Sequence, residues 1–281
     1  MPLIPELQKI ATQVRRDIIR MTNSAESGHP GGSLGCADFM TTLYFEIMQP
    51  DHENFTMDGR GEDMFFLSIG HISPVWYSVL ARYGFFETSE LASFRKIDSR
   101  LQGHPSPRDG LPGIRMASGS LGQGLSVAIG AALAKKLDND SHLIYCLIGD
   151  GELQEGQNWE ALMFASANKV DNLIAVVDYN GKQIDGPTDK VLNLGDLKAK
   201  FESFDWRVLK MYGNDIANVI DVMNSAKSET GKGKPVIVIM RTHMGFGVDF
   251  MLDNHAWHGV PPNNEKTAIA LAQLEETLGD Y

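Results

Sequence analysis

Three unbroken apolar runs restrict the fold of this chain more than any other feature of its sequence. They are HLIYCLIG at 142–149, NLIAVVDY at 172–179 and PVIVIMRT at 235–242. A strand that is buried on both faces gives such a continuous run, whereas a strand with one wet face alternates apolar and polar residues. Segments with helical spacing separate the runs. The order therefore predicts an α/β fold, in which a parallel β-sheet carries helices on both faces.

The remaining segments extend this plan without a domain boundary. Two more strands are predicted at 63–70 and, more weakly, at 206–213. Helices are predicted over 5–25, 34–48, 74–84, 119–137, 157–169, 214–229 and 265–278, and a loop rich in glycine and proline over 100–118. The sequence shows neither an internal repeat nor a low-complexity linker, so residues 1–281 are interpreted as one large domain.

The charge balance argues against two classes of partner. The 281 residues include 25 Lys and Arg against 36 Asp and Glu, which gives a formal net charge of −11. An acidic chain without a basic cluster is poorly suited to nucleic acid or to an anionic membrane surface. No apolar run reaches the roughly 18 residues of a membrane span. Cys36 and Cys146 each lie in an apolar stretch, so we expect two buried free thiols and a cytoplasmic protein.

Polar side chains stand at the carboxyl ends of two of the apolar runs. Asp150 follows the first run between two glycines, and Asn180 follows the second, 180 − 150 = 30 residues later. If these strands are neighbours, both side chains emerge at one edge of the sheet, where the ligands of such folds bind. A carboxylate and an amide oxygen suit Mg²⁺ or Ca²⁺, and the amino terminus of a following helix favours phosphate. The spacing therefore predicts a metal-bridged diphosphate; the alternative interpretation of Asp150 is a helix cap.

Longer motifs together resemble one family. GDGELQEGQNWEALMFASANKVDNLIAVVDYN is similar to the thiamine diphosphate motif, which runs from GDG to an Asn at the end of the next strand. SGHPGGSLGCAD, FFLSIGH, LQGHP, PGIRMASGSLGQGLSVAIGAALA and NHAWHG resemble, in order, segments of the amino-terminal half of transketolase. The segment GSLGQG matches neither a P-loop nor a dinucleotide fingerprint. The resemblance covers nearly the whole chain and implies the diphosphate-binding domain of the thiamine diphosphate fold.

The resemblance implies a metal site for Mg²⁺ or Ca²⁺. Its ligands would be the side chains of Asp150 and Asn180 together with the backbone carbonyl of Lys182. A lysine departs from the family's pattern at position 182. A backbone ligand tolerates that change, because the side chain takes no part in the bond.

The resemblance also implies contacts to thiamine diphosphate itself. Gly119 and Gly151 would contact the diphosphate, and Leu121 would press the cofactor into its bent conformation. Gly122 and Gly124 in the same loop suit either close packing or cofactor binding. Both roles remain open for these two glycines.

Four histidines fall in matching motifs and are implied as catalytic residues. His29 and His258 would hydrogen-bond the bound ketol and transfer protons, whereas His71 and His104 would bind the diphosphate region and the first hydroxyls of the donor. Imidazole suits these roles because it titrates near neutral pH and both donates and accepts. The other histidines are interpreted as structural or unassigned: His52, His142, His243 and His255.

The resemblance further implies a partner chain. Glu155 matches an acid of the family's subunit interface, although a Glu in a first helical turn is also favourable by itself. The family's pyrimidine-binding and C-terminal domains would follow the point where this sequence stops, at Tyr281. We therefore expect the amino-terminal subunit of a split transketolase in a heterotetramer, with two copies associated through the cofactor site. A fragment of a longer protein is the alternative.

The implied activity is the transfer of a two-carbon ketol unit from a ketose, expected to be a phosphate, to an aldose, as in the pentose phosphate pathway. The chain alone is expected to be inactive. The alternatives are the α-subunit of a 2-oxo acid dehydrogenase, a deoxyxylulose phosphate synthase-like enzyme, and a non-catalytic cofactor-binding relative. The first is not expected to carry the SGHPGG and LQGHP histidines together, and the second is normally one long chain.

Overall fold

The chain folds around one parallel sheet. The computed structural model describes residues 3–281. The strands in that part of the chain are β1 Met64–Leu67, β2 Ile144–Gly149, β3 Leu173–Tyr179, β4 Lys182–Gln183, β5 Gly186–Pro187, β6 Arg207–Tyr212 and β7 Val236–Arg241. The five-stranded sheet has the order β1-β2-β3-β7-β6 with every pair parallel, and β4 and β5 form a separate antiparallel pair. The predicted parallel sheet is confirmed.

Helices connect the strands. The α-helices of the described residues are α1 Ile4–Ser24, α2 Pro30–Gly35, α3 Ala37–Thr42, α4 Ser73–Tyr83, α5 Gly124–Leu137, α6 Gly156–Ala167, α7 Thr188–Val191, α8 Leu197–Ser203, α9 Ile216–Glu229 and α10 Asn264–Gln273. Helix α4 begins on Ser73–Pro74 and ends at Gly84, whose φ of 110° gives the left-handed cap expected of a glycine there.

The core lies in two layers, one on each face of the sheet. Alternate strand residues such as Phe65 and Leu67 pack with helices α1, α3, α4 and α9 on one face. Their neighbours, among them Phe66, pack with α5, α6 and α8 on the other face. Since side chains alternate along a strand, a continuous apolar run supplies both layers. Cys36 and Cys146 are buried, free and placed in different layers, as expected of two unpaired thiols.

Three predicted helix boundaries were wrong. The helix predicted from 34 already starts at Pro30 inside SGHPGGS, because proline suits a first turn, and it continues as α3 and a π-helical turn, Leu43–Ile47. The helix predicted from 119 begins only at Gly124, because Gly119 and Gly122 have φ of 126° and 90°. Helix α10 ends at Gln273, short of the predicted 278.

The sheet order brings the ends of three strands together at one edge. The carboxyl ends of β1, β2 and β3 are adjacent, because these strands are neighbours and parallel. The segments that follow them are the turn Gly70–Ile72, the turn Gly151–Gln154 and the β4–β5 hairpin. Within residues 3–281, no helix has the length and apolar character needed to cross a membrane.

Candidate cofactor and active site

A cavity of about 490 Å³ lies at this edge of the sheet. Every site residue predicted from the sequence lines it: His29, His71, His104, Gly119, Leu121, Asp150, Gly151, Glu155, Asn180, Lys182 and His258. These residues are scattered over more than two hundred positions of the chain, and the parallel sheet is what gathers them. Of the set, His104 and Glu155 are exposed and the others are buried or half-buried.

Asp150 and Asn180 stand side by side at the ends of β2 and β3. The Asp150 carboxylate is 1% exposed; its Oδ1 accepts from the Gly151 N–H at 2.8 Å and its Oδ2 accepts from the Gly181 N–H at 2.7 Å. The Asn180 Oδ1 accepts from the Lys182 N–H at 2.8 Å. Asp150 therefore caps its own turn, as the alternative interpretation held. Each side-chain oxygen keeps a further lone pair, so the cap leaves a metal-ligand role open.

A second buried acid, Asp178, lies behind this pair. It accepts from the Asn180 Nδ2 at 2.8 Å and from the Thr242 hydroxyl, and it is 2% exposed. Burial, followed by the charge of Asp178, raises the pKa of Asp150 to about 7. Burial likewise raises the pKa of Asp178. Two adjacent buried carboxylates favour a cation beside them, and an Asp–Asn oxygen pair fits a hard divalent ion.

Glycine forms the wall that faces the strand ends. Gly119 has a φ of 126°, and a Cβ built on it would lie 2.8 Å from the His104 ring. On the opposite wall, a Cβ on Gly151 would come within 3.0 Å of the Gln183 side chain. Side chains at either position would push the walls apart. The two glycines let backbone approach the cavity closely, as contact with a diphosphate requires.

Four histidines that line the cavity form a cluster. The ring centroids of His29 and His71 are 5.1 Å apart, those of His29 and His258 are 5.7 Å apart, and those of His71 and His258 are 5.1 Å apart. His104 completes the group, with its centroid 6.4 Å from that of His29. His255, the other candidate in NHAWHG, lies outside the cavity on an exposed turn.

Burial keeps this cluster neutral. Desolvation, followed by His258, Arg95 and His104, lowers the pKa of His29 to about 4. Desolvation is also the main cause that lowers the pKa values of His71 and His258, and of the more exposed His104. Neutral imidazoles each offer one donor and one acceptor. The buried Nδ1 atoms of His29 and His258 have no hydrogen-bond partner among residues 3–281, so each of these rings carries one unsatisfied nitrogen next to the cavity.

The cavity therefore presents three kinds of surface. These are the Asp150–Asn180 oxygens with glycine backbone, apolar side chains that include Ile69 and Leu121, and the histidine cluster. This set of surfaces fits a cofactor with a metal-bound diphosphate, a ring, and a substrate bound beside the ring.

Sequence reasoning missed two buried acids next to the cavity. Asp178 interrupts an apolar strand two residues before Asn180 and thus shares its side of the strand. An acid inside an otherwise apolar run was the available signal. Glu152 also lines the cavity and is 2% exposed, although its sequence neighbourhood resembles an ordinary helix start.

Fold and site together define a binding domain for a diphosphate cofactor at the carboxyl edge of a parallel sheet. The chain matches the family model described as "Transketolase, thiamine diphosphate binding domain" over residues 7–279, and it belongs to the transketolase family. The predicted resemblance is confirmed, and with it thiamine diphosphate as the cofactor of this domain.

Two relatives match the chain from end to end. The A subunit of the apulose-4-phosphate transketolase of Actinobacillus succinogenes is 37% identical over 272 residues, which cover 96% of each chain. The SqwG subunit of the 6-deoxy-6-sulfo-D-fructose transketolase of Clostridium sp. strain MSTE9 is 36% identical over 271 residues, 96% of this chain and 97% of that one. Both names describe one subunit of a transketolase.

A solved structure shows the same fold within a longer chain. The transketolase of Campylobacter jejuni superposes with a TM-score of 0.90 at 32% sequence identity, over 100% of this chain. The match covers 44% of that transketolase. The present chain thus spans less than half the length of that transketolase chain.

Proposed function

We propose that this chain is the amino-terminal subunit of a split transketolase. With a carboxy-terminal partner subunit, it transfers a two-carbon ketol unit from a ketose to an aldose. The observation that carries the proposal is the single cavity that joins four neutral histidines to the Asp150–Asn180 strand ends. The two subunit-type relatives, matched along 96% and 97% of their lengths, support it.

The diphosphate end of the cavity would hold the cofactor and its metal. Asp150 and Asn180 give side-chain oxygens and Lys182 gives its backbone carbonyl to Mg²⁺, with Ca²⁺ as the alternative. The buried Asp150 and Asp178 charges support a cation at this place. Thiamine diphosphate, when bound, supplies the carbon centre that attacks a ketose carbonyl and stabilises the resulting negative charge.

The backbone of Gly119 and Gly151 contacts the diphosphate in this proposal, and Leu121 supports the cofactor in its bent shape. All three line the same cavity, between the strand ends and the histidines. The middle of the cavity is apolar, which suits a ring, and both glycine positions admit close backbone approach.

The histidine end of the cavity would handle the sugar. His29 and His258, whose rings line the cavity with centroids 5.7 Å apart, hydrogen-bond the ketol oxygens and exchange protons with them. His71 and His104 hold the diphosphate region and the first donor hydroxyls. Their lowered pKa values support these roles, because a neutral imidazole donates at one nitrogen and accepts at the other.

The partner subunit would close the site from the side of Glu155, which is exposed at the cavity rim. An apolar face adjoins that rim, formed by helices α5 and α6. Phe164 on it is 51% exposed and lines a groove together with Ile129 and Leu133. We propose that this α5–α6 face packs against protein in a heterotetramer of two copies of this chain and two partner subunits. Exposed apolar surface of this kind is typical of interaction sites.

The substrate is proposed to be a ketose with an anionic group remote from its carbonyl. The sugar names of the two relatives support this class, since one contains a phosphate and the other a sulfo group. Such an enzyme acts on water-soluble metabolites, so we propose a cytoplasmic location.

Reconstitution tests the proposal. The chain, its partner subunit, Mg²⁺ and thiamine diphosphate are combined with a ketose phosphate donor and an aldose phosphate acceptor, and the ketol product is measured. Transfer is expected for the mixture and for neither protein by itself. Full turnover by this chain without its partner contradicts the split-subunit proposal. Decarboxylation of pyruvate without ketol transfer assigns the chain to another thiamine diphosphate reaction.

A further inference from the structure

Glu152 is a buried residue in the wall of the cavity and has no part in the roles described above. Its side chain is directed away from solvent, with the residue 2% exposed. Its Oε1 accepts from the Gly122 N–H at 2.6 Å and from the Ser68 hydroxyl, while its Oε2 accepts from the Gly149 N–H at 3.1 Å. All of these partners are neutral donors. Both carboxylate oxygens are therefore used to join backbone segments.

The contacts of Glu152 tie four segments of the site together. Ser68 follows β1, and its hydroxyl also accepts from the Gly124 N–H at 3.1 Å. Gly149 ends β2. The backbone carbonyl of Glu152 accepts from the Asn158 Nδ2 at 2.7 Å, which adds the first turns of helix α6. One acid thus links the end of β1, the end of β2, the start of α6 and the loop before α5.

Close packing around the acid leaves little freedom for that loop. A Cβ on Gly124 would lie 2.4 Å from the Ser68 side chain. A Cβ on Gly122 would lie 2.8 Å from Gln157 and 2.9 Å from Glu155. The backbone comes close enough to form these hydrogen bonds only because the residues at 122 and 124 are glycines, which have no Cβ. The acid and the two glycines therefore act as one unit.

We infer that Glu152 is a positioning residue for the cofactor. It fixes loop 118–124, which carries Gly119 and Leu121, at a set distance from the opposite wall formed by Asp150 and Gly151. The inference rests on the proposed function, since it concerns how the two walls of that site are held. It assigns Glu152 no contact with substrate or cofactor.

A carboxylate suits this position better than an amide. Three donors point at its two oxygens, and an ionised carboxylate is a pure acceptor. In Glu152→Gln, the NH₂ group must face at least one of those donors, so at least one hydrogen bond is replaced by a repulsive contact. The substitution keeps the volume and shape of the side chain. It therefore loosens the loop without opening a cavity.

The chain offers a matched control in Asp63. This acid is also buried, at 5% exposure, and it also accepts from backbone: from Leu143 N–H at 2.8 Å and from Gln49 N–H at 3.2 Å. It lies at the opposite, amino-terminal end of the sheet. Asp63→Asn thus repeats the chemical change of Glu152→Gln at a place remote from the cavity.

Two measurements test the inference. The first is hydrogen exchange of residues 118–124 in the isolated chain, by mass spectrometry. Glu152→Gln is expected to accelerate exchange in this segment, whereas Asp63→Asn leaves it unchanged. The second is the affinity of the reconstituted assembly for thiamine diphosphate at saturating Mg²⁺. Glu152→Gln is expected to weaken this affinity about 10- to 100-fold, the usual loss when a residue that orients the binding groups without touching the ligand is changed. Asp63→Asn is expected to weaken the affinity less than about 2-fold.

A further readout separates positioning from general destabilisation. At saturating thiamine diphosphate, kcat of the Glu152→Gln assembly should recover to within a few-fold of wild type, because the acid touches no reacting atom. The inference is overturned if residues 118–124 of the Glu152→Gln variant exchange at the wild-type rate, or if the affinity of its assembly for thiamine diphosphate is unchanged. A wild-type assembly that binds no thiamine diphosphate contradicts the proposed function instead, and the exchange measurement still decides whether Glu152 holds the loop.

Discussion

At the scale of single residues, Asp150 is the side chain on which the metal site depends. Its burial, followed by the charge of the neighbouring Asp178, raises its pKa to about 7. Asp150→Asn keeps the size of the side chain but removes the charge that a divalent cation needs. We expect Mg²⁺-dependent binding of thiamine diphosphate to weaken more than about 100-fold, beyond the usual effect of residues that only orient a ligand. Isothermal titration of the reconstituted assembly with and without Mg²⁺ measures this.

A second measurement on the same substitution tests whether the variant is correctly folded. Without metal, Asp150→Asn should still unfold cooperatively in urea at pH 8, because removal of a buried charge offsets the loss of one of the two backbone hydrogen bonds that Asp150 accepts. The control is Asp189→Asn on α7, whose side chain is 59% exposed. It should retain cofactor affinity. An Asp150→Asn assembly that binds cofactor as tightly as wild type would refute the metal assignment.

The four cavity histidines predict how stability varies with pH. The pKa of His29 is lowered to about 4 in the folded chain, against an ordinary value of 6.5. Between these values the unfolded chain binds more protons than the folded chain. Stability contributed by the neutral ring is therefore fully present above pH 6.5 and is lost as pH falls towards 4. Lowered pKa values at His71, His104 and His258 act in the same direction.

Substitution of His29 isolates the contribution of this one ring to the pH dependence of stability. Between pH 7 and pH 5 the raised pKa of Asp150 acts in the opposite direction, so the prediction concerns the difference between variants: as pH falls, wild type should lose more stability relative to His29→Asn. Urea titrations at several pH values measure both slopes. His255→Asn, on an exposed turn outside the cavity, is the control and should keep the wild-type slope. Equal slopes for wild type and His29→Asn would show that His29 is not held neutral by the fold.

At the scale of elements, helix α5 contains two glycines in different surroundings. Gly124 packs against Ser68, and Gly130 faces open space. A Cβ on Gly124 would lie 2.4 Å from the Ser68 side chain, whereas a Cβ on Gly130 has no atom within 4 Å. Gly124→Ala should destabilise the chain by about 1–3 kcal/mol through overpacking. Gly130→Ala should stabilise the isolated chain by about 0.5–1 kcal/mol, because alanine favours a helix interior. Urea denaturation of both variants measures the difference. Equal effects of the two substitutions would show that the α5–β1 contact is not tight.

The fold and the site also show which features could be predicted from the sequence and which could not. The apolar runs fixed the parallel sheet, since a run buried on both faces allows few other arrangements. That sheet alone placed Asp150 beside Asn180. The sequence left Gly122 and Gly124 undecided between packing and binding, because the answer depends on which side chain approaches them. The hydrogen bonds of Glu152 were missed for the same reason: its partners Ser68 and Gly122 are distant in the chain.

At the scale of the whole molecule, we propose that the cavity is one wall of a larger site that the partner subunit completes. The strand-end oxygens, the glycine backbone and the histidines all come from this chain, whereas the matched single-chain transketolase is more than twice as long. The α5–α6 face includes a groove of about 490 Å³ lined by Gly130, Leu133 and Phe164, among others, and helix α6 begins next to the cavity residue Glu155. In the proposed assembly, protein packed on this face would therefore lie close to the cofactor site.

Assembly through the α5–α6 face can be tested with one exposed residue. Phe164 is 51% exposed in the chain alone, so Phe164→Asp should change the stability of the isolated chain by less than about 0.5 kcal/mol. Buried in an interface, the same change is expected to weaken association about 10-fold or more, because aromatic anchors carry much of the binding energy. Sedimentation velocity of the chain, alone and mixed with its partner subunit, measures association. Ile97→Asp is the control, since Ile97 is 94% exposed outside this face. If both variants assemble like wild type, the α5–α6 face is not the interface; if both fail equally, the loss reflects added charge rather than a lost contact.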